Sequence, residues 1–134
     1  MKTILILILS LTTVSVFGQR RFEQFKETDN LIFSYRFKKE CFIKRDSPLQ
    51  LVLHIRNTGK EAVEINFTLD YYWALQHKAE SEKVTLCIRP GRVKRGGRAD
   101  LIFSTENFTN VQLKSEDFSF EIEGLSIEQK ENCR

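Results

Sequence analysis

The chain has 134 residues, 41% of them hydrophobic, with 21 Lys and Arg against 18 Asp and Glu. That length suits one domain, and a charge so close to balance gives no reason to expect nucleic acid as a partner. Two histidines and three widely spaced cysteines match no zinc-ligand spacing, so neither a metal nor a cofactor is expected.

Lys2 precedes two apolar runs, 4–9 and 11–17, before the chain turns polar at Gln19-Arg20-Arg21. A basic start, a short apolar stretch and small residues before a polar segment predict a cleaved secretory signal peptide over residues 1–18. Val16 and Gly18 stand at its small-residue positions, and cleavage is expected after Gly18. The mature chain loses Lys2 alone among its charges and is expected to carry no transmembrane segment. Its expected place is secreted and extracellular, or periplasmic or cell-surface if the source is bacterial. Export makes a disulfide expected among Cys41, Cys87 and Cys133. Three pairings are open, and the odd cysteine is left free or available for a covalent dimer.

Residues 19–30 read as an extended lead-in. Leu31, Phe33, Tyr35 and Phe37 then alternate with polar positions, predicting a half-buried strand that ends or bulges near Lys39. Arg45-Asp46-Ser47-Pro48 is a loop. Residues 49–73, LQLVLHIRNTGKEAVEINFTLDYYW, read as a central hairpin turning at Asn57-Thr58-Gly59. Its inward rows are Leu49, Leu51, Leu53 and Ile55, then Val63, Ile65, Phe67, Leu69 and Tyr71. Val52, His54 and Arg56 belong to the outward row. Residues 73–82 abandon alternation and are expected to form a loop or one helical turn.

Val84, Leu86 and Ile88 resume a strand with Cys87 on its opposite face, and Pro90-Gly91 ends it. Residues 101–104 make a short strand and 105–110 a polar connection. Phe118, Phe120 and Ile122 alternate with Ser119, Glu121 and Glu123, and Leu125 with Ile127 extends the strand past Gly124. The charged tail 129–134 frays unless Cys133 ties it down. The fold class expected over residues 31–128 is all-β: an antiparallel two-sheet immunoglobulin-like sandwich of about seven strands. A closed barrel is the alternative.

The segment RPGRVKRGGR carries Arg89, Arg92, Lys94, Arg95 and Arg98 with no acid between them. With Gly91, Gly96 and Gly97 it reads as a mobile loop, a candidate site for an anionic glycan, an anionic membrane surface or an acidic protein surface. Lacking aromatic residues for base stacking, it does not read as a nucleic-acid site. Asn66-Phe67-Thr68 and Asn107-Phe108-Thr109 match the N-glycosylation pattern. A cysteine paired with His54 or His77 is the strongest catalytic candidate, but no spacing supplies an orienting third group, so no catalytic residue is assigned.

The strings LVLHIRNTGKEAVEINFTLDYY, VTLCIRPG, ADLIFSTENF and DFSFEIEG, in that order, resemble the C-terminal β-barrel domains of animal transglutaminases. Asn57, Tyr71, Tyr72, Leu86, Pro90, Gly91, Ser104 and Phe108 occupy the similar places. The turn NTG is also similar to CARDB-type adhesion modules. Either resemblance implies an immunoglobulin-like sandwich without a catalytic site, because transglutaminase chemistry belongs to a separate core with a Cys–His–Asp triad. The function expected is a secreted, non-catalytic β-sandwich that binds a protein or anionic glycan by its surface. The alternative is a thiol-dependent enzyme, or an accessory subunit of a transglutaminase-like enzyme.

Overall fold

Alternating apolar residues become two antiparallel sheets facing one core. The computed structural model describes residues 21–134, so the expected leader and its cleavage point lie outside the described residues. The strands are β1 (Glu23–Thr28), β2 (Leu31–Lys39), β3 (Leu49–Asn57), β4 (Ala62–Trp73), β5 (Gln76–Glu80), β6 (Val84–Ile88), β7 (Val93–Arg95), β8 (Ile102–Phe103) and β9 (Phe118–Lys130). A single helical turn, α1 (Asn110–Leu113), begins at a Thr109 capping box. The first sheet runs β1-β2-β3, and the far edge of β3 is shared by β7 and β8. In the second, β9 covers one edge of β4 while β6 and β5 divide the other.

The core is the set of inward rows. Leu31, Phe33, Leu51, Leu53 and Ile55 of the first sheet meet Val63, Ile65, Phe67, Leu69 and Ile88 of the second, joined by Leu101 and Phe103. The rings of Phe33 and Phe67 meet edge to face across the gap, centroids 6.1 Å apart. Each such side chain contributes roughly 1.5–3 kcal/mol by leaving water, offset by the entropy of ordering the chain.

Residues 49–73 do not form a hairpin. β3 pairs with β2, β7 and β8, whereas β4 pairs with β5, β6 and β9, so the Asn57-Thr58-Gly59 turn is a corner between sheets. Alternation fixes which side chains face the core and says nothing about which strands share hydrogen bonds. The inward rows stand as read from the sequence; the pairing does not.

Asn57 closes this corner and is 1% exposed. Its Nδ2 donates to the carbonyls of Glu61 at 2.8 Å and Ile88 at 3.0 Å. Its Oδ1 accepts from the Gly59 N–H at 2.9 Å, an Asx turn that replaces the backbone ladder at the corner.

Three segments read as irregular are strands. β1 pairs with β2, which makes the lead-in part of the first sheet. Residues 73–82 hold the β4–β5 hairpin, whose turn residues Ala74 (φ 48°) and Leu75 (φ 67°) are both left-handed. A primed two-residue turn normally announces itself by Asn-Gly or Asp-Gly, and Ala-Leu carries no such signal. β7 arises inside the basic segment because the unpaired edge of β3 offers it hydrogen bonds.

β9 carries the converse case. Gly124 (φ 61°) sits in a bulge opposite Phe67, where the register steps from Asn66↔Ser126 to Thr68↔Glu123. The extra residue changes parity, which is why Phe118, Phe120 and Ile122 before it and Leu125 and Ile127 after it all pack against the core. Val52, expected outward, is 3% exposed because β8 pairs alongside it.

Candidate functional site

The basic segment starts with a turn in which the Arg92 N–H donates to Arg89 O at 3.1 Å, with Gly91 left-handed at φ 70°. Asn57 anchors it: its N–H donates to Arg92 O at 3.0 Å and its carbonyl accepts from the Gly91 N–H at 2.9 Å. β7 then pairs with β3 through Val93↔Arg56, Lys94↔Ile55 and Arg95↔His54, and residues 96–99 make a 3-10 turn. The segment is therefore not the mobile loop expected. The ladder also divides its charges, because successive strand residues face opposite sides.

Arg95 falls on the outer face of the first sheet beside His54, on the surface that also carries Arg36 and Arg56. The His54 ring meets Phe22 edge to face at 4.6 Å, and the Arg36 guanidinium lies 4.8 Å over the same Phe22 ring. Burial, and then the charges of Arg95, Arg56 and Arg36, hold His54 below its ordinary titration range. His54 is thus neutral at neutral pH, and the arginines supply the positive charge. Register places Glu27, at the β1 edge, on this same face, opposite Ile32.

Lys94 turns the other way, toward β6. A cleft of about 470 Å³ opens there, with Arg89, Arg92, Lys94 and Arg134 in its walls and no carboxylate side chain among its lining residues. The Cys87–Cys133 disulfide, with Cα atoms 5.5 Å apart, joins that lining and holds the C-terminal segment against β6. Among the described residues the close contacts between basic and acidic side chains are His77–Asp70 and Lys130–Glu128, and neither involves these four cations. Arg98, in the 3-10 turn, is exposed and outside the cleft. Arg134 is the cleft residue missing from the sequence reading. Only the choice of Cys87–Cys133 from the three pairings brings it there, and spacing does not make that choice.

The outer face of the second sheet is acidic. Register places Glu64, Asp70 and Glu80 there with Glu121, Glu123 and Glu128 of β9. Partial burial, and then Asp70, Glu121 and Glu123, push the Tyr72 phenol up. Tyr71, its neighbour in the similar tyrosine pair, points inward and is buried against Phe108 and Phe118.

A wider groove, about 880 Å³, lies between the β1–β2 edge and β9. Its walls are core aromatics, with Phe120 4.9 Å from both Phe25 and Tyr35. Its charged lining mixes Lys26 and Lys114 with Glu116, Glu121 and Glu123, so it concentrates no single charge. The cleft does.

The thiol candidates separate. Cys87 and Cys133 are bonded to each other, and the free Cys41 is half-buried in the loop whose tip exposes Phe42 and Ile43. His54 packs on Phe22 and His77 on Asp70 and Tyr72.

The two asparagine acceptors also differ. Asn66 lies in central strand β4, where its Nδ2 donates to Ser126 Oγ and its Oδ1 accepts from the Thr85 hydroxyl. Asn107 is exposed in the turn before α1. In a glycosylating host, Asn107→Gln is expected to remove one glycan from the intact mass, while Asn66→Gln leaves the mass pattern unchanged. A glycan retained in Asn107→Gln and lost in Asn66→Gln reverses this assignment.

Among the described residues no helix is long and apolar enough to cross a membrane. No known protein family, curated protein or solved structure matches the chain.

Proposed function

We propose that the chain is a secreted, non-catalytic, immunoglobulin-like β-sandwich that binds an anionic glycan through the cleft between β6 and β7. The observation that carries this reading is the cleft itself: Arg89, Arg92, Lys94 and Arg134 line a concavity without a carboxylate side chain, with Arg89 and Arg92 also bordering the adjoining groove that holds Glu61 and Glu131. Converging like charges repel and raise the local potential, and a polyanion with closely spaced sulfates or carboxylates relieves that repulsion. Arg95 and Arg56 continue the positive surface over β7 onto the first sheet, which gives an extended chain somewhere to run. The resemblance to transglutaminase C-terminal domains supports the non-catalytic part, as does the scatter of Cys41, His54 and His77 over separate surfaces. Secretion rests on the leader and fits the disulfide. The Cys41 thiol is the atom through which a covalent dimer would form.

Salt elution from a heparin column tests the cleft. An exposed ionic contact contributes about 0.2–1 kcal/mol, so replacing Arg89, Arg92 and Lys94 together by Ala is expected to weaken retention about tenfold. Replacing Lys26, Lys78 and Lys83 removes the same net charge from other surfaces and is expected to change retention by less than about twofold. Equal losses in the two variants reduce the effect to net charge and overturn the reading. Undiminished heparin retention, with loss of capture by immobilised polyglutamate, assigns the cleft to an acidic protein surface instead.

A further inference from the structure

We propose that Asp70, His77 and Glu80, on the outer face of the second sheet, form a binding site for a divalent zinc-type ion. They are the group of three among the described residues whose donor atoms all lie within 4.8 Å of one another. Residues 70, 77 and 80 follow no ligand spacing in the sequence, because the β4–β5 hairpin assembles them.

The assembly depends on an irregularity. His77 and Glu80 are three residues apart, and in a regular strand they point to opposite faces. The register of β5 shifts opposite Tyr71 and Tyr72, so that His77 stands across from Tyr72 while Glu80 stands across from Asp70. Lys78 is the inserted residue, and both donors emerge on the face that carries Asp70. Bulges of this kind re-aim side chains, and this one converts a histidine and a glutamate on opposite sides into a convergent pair.

The donor chemistry favours a borderline ion over a hard one. His77 Nε2 stands 3.4 Å from Asp70 Oδ2. Donors bound to zinc at about 2.0–2.1 Å are themselves about 3.4 Å apart when arranged tetrahedrally. These two atoms already hold that spacing, and Glu80, exposed at the strand surface, can close its remaining distance by side-chain rotation. The His77 ring is braced edge-on against Tyr72, with centroids 5.6 Å apart. A second feature points the same way: Asp70 Oδ1 is buried and accepts no hydrogen bond among the described residues. A carboxylate oxygen stripped of water without a donor is costly, and a cation on the same carboxylate offsets that cost.

Glu121 of β9 stands directly across from Asp70 and adds negative charge beside the site. A nitrogen donor among carboxylates suits zinc-type ions, whereas calcium and magnesium sites are built from oxygens. Three protein donors leave a coordination position for solvent or for a group from a partner.

Calorimetric titration of the mature protein with ZnCl2 tests the site, with CaCl2 as the comparison ion. One Zn2+ per chain is expected, bound at least about tenfold tighter than Ca2+. Loss of a direct ligand costs no less than loss of its supporting shell, so His77→Ala is expected to weaken zinc by about tenfold or more. Glu80→Gln is expected to weaken it in the same direction, while His54→Ala, on the opposite sheet, leaves it unchanged. His77 and Glu80 are exposed, so these variants keep the fold, which circular dichroism verifies. In the unmodified protein, Zn2+ is expected to shift the imidazole proton resonances of His77 and not those of His54. Absence of stoichiometric uptake, undiminished binding by His77→Ala, or calcium bound as tightly as zinc overturns the assignment.

Discussion

Replacing Cys87 and Cys133 together by Ser lowers the free energy of unfolding by about 2–4 kcal/mol. The bond spans 46 residues. For a loop of that size, the entropy removed from the unfolded chain alone corresponds to about 4 kcal/mol in the chain-entropy account. The lower end applies where the reduced chain retains structure. The loss is large because the domain is small: a chain of this length buries a limited core, and a total stability of about 5–15 kcal/mol is typical. Urea unfolding of the double variant measures the effect directly. Reducing the unmodified protein must reproduce it, while the double variant must not respond to reductant. A change below about 0.5 kcal/mol in both experiments means that residues 87 and 133 are not linked in the folded protein. Function follows from the same bond. Without it the segment carrying Arg134 is no longer held against β6, and the cationic cleft loses one wall.

The difference between the sequence reading and the structure lies in what each signal encodes. Period-two alternation reports which side chains face the core. It therefore located Phe33, Leu53, Ile65, Phe67 and Ile88 correctly, and predicted correctly that two sheets enclose one interior. It carries no information on hydrogen-bond partners, so alternation alone makes a hairpin of β3 and β4, which belong to different sheets. Turn chemistry is visible only where the turn uses the expected residues. Asn57-Thr58-Gly59 was legible as a turn, whereas Ala74-Leu75, which adopts a left-handed conformation without glycine or asparagine, was not. The missed turn concealed β5, and with it the bulge that brings His77 and Glu80 to Asp70.

The basic segment shows the same limit in the candidate site. Its five cations were legible as a cluster in sequence, but their division between two surfaces depends on β7 pairing with β3. A segment that is polar and rich in glycine reads as a loop whenever the strand edge that captures it is out of view. Arg134 was out of reach for a further reason, since its position follows from which two of three cysteines meet.

Asn57→Ala is expected to destabilise the protein by about 3 kcal/mol. The side chain is 1% exposed, and each of its hydrogen bonds meets a backbone group at the corner. Removing it deprives the carbonyl of Ile88, a fully buried residue, of its donor, and deprives the Gly59 N–H of its acceptor. A buried polar group left unpaired costs about 1–3 kcal/mol. Glu61 is exposed, and its carbonyl recovers water at little cost. Asn57→Asp separates this account from simple loss of volume. The carboxylate keeps an acceptor for Gly59 but sets negative charge against the carbonyl oxygens of Glu61 and Ile88, where the amide had donated. At neutral pH it is expected to destabilise at least as much as Ala. Burial beside two acceptors raises the folded-state pKa of the new carboxyl above its unfolded value of about 3.9. The folded variant then binds its proton more readily than the unfolded chain does, so its deficit shrinks as pH falls through the raised folded value. Neither the unmodified protein nor Asn57→Ala has a titrating group at residue 57. Urea midpoints at pH 7 and pH 4, taken as differences from the unmodified protein, should therefore converge for Asp and stay parallel for Ala. A loss below about 1 kcal/mol for Ala, or a pH-independent deficit for Asp, removes Asn57 as the clamp between the sheets. If the clamp holds as described, both variants also loosen the turn at Arg89 and Arg92, since the same residue anchors that turn through its backbone. Heparin retention should then weaken in both variants, although neither replacement removes a cation.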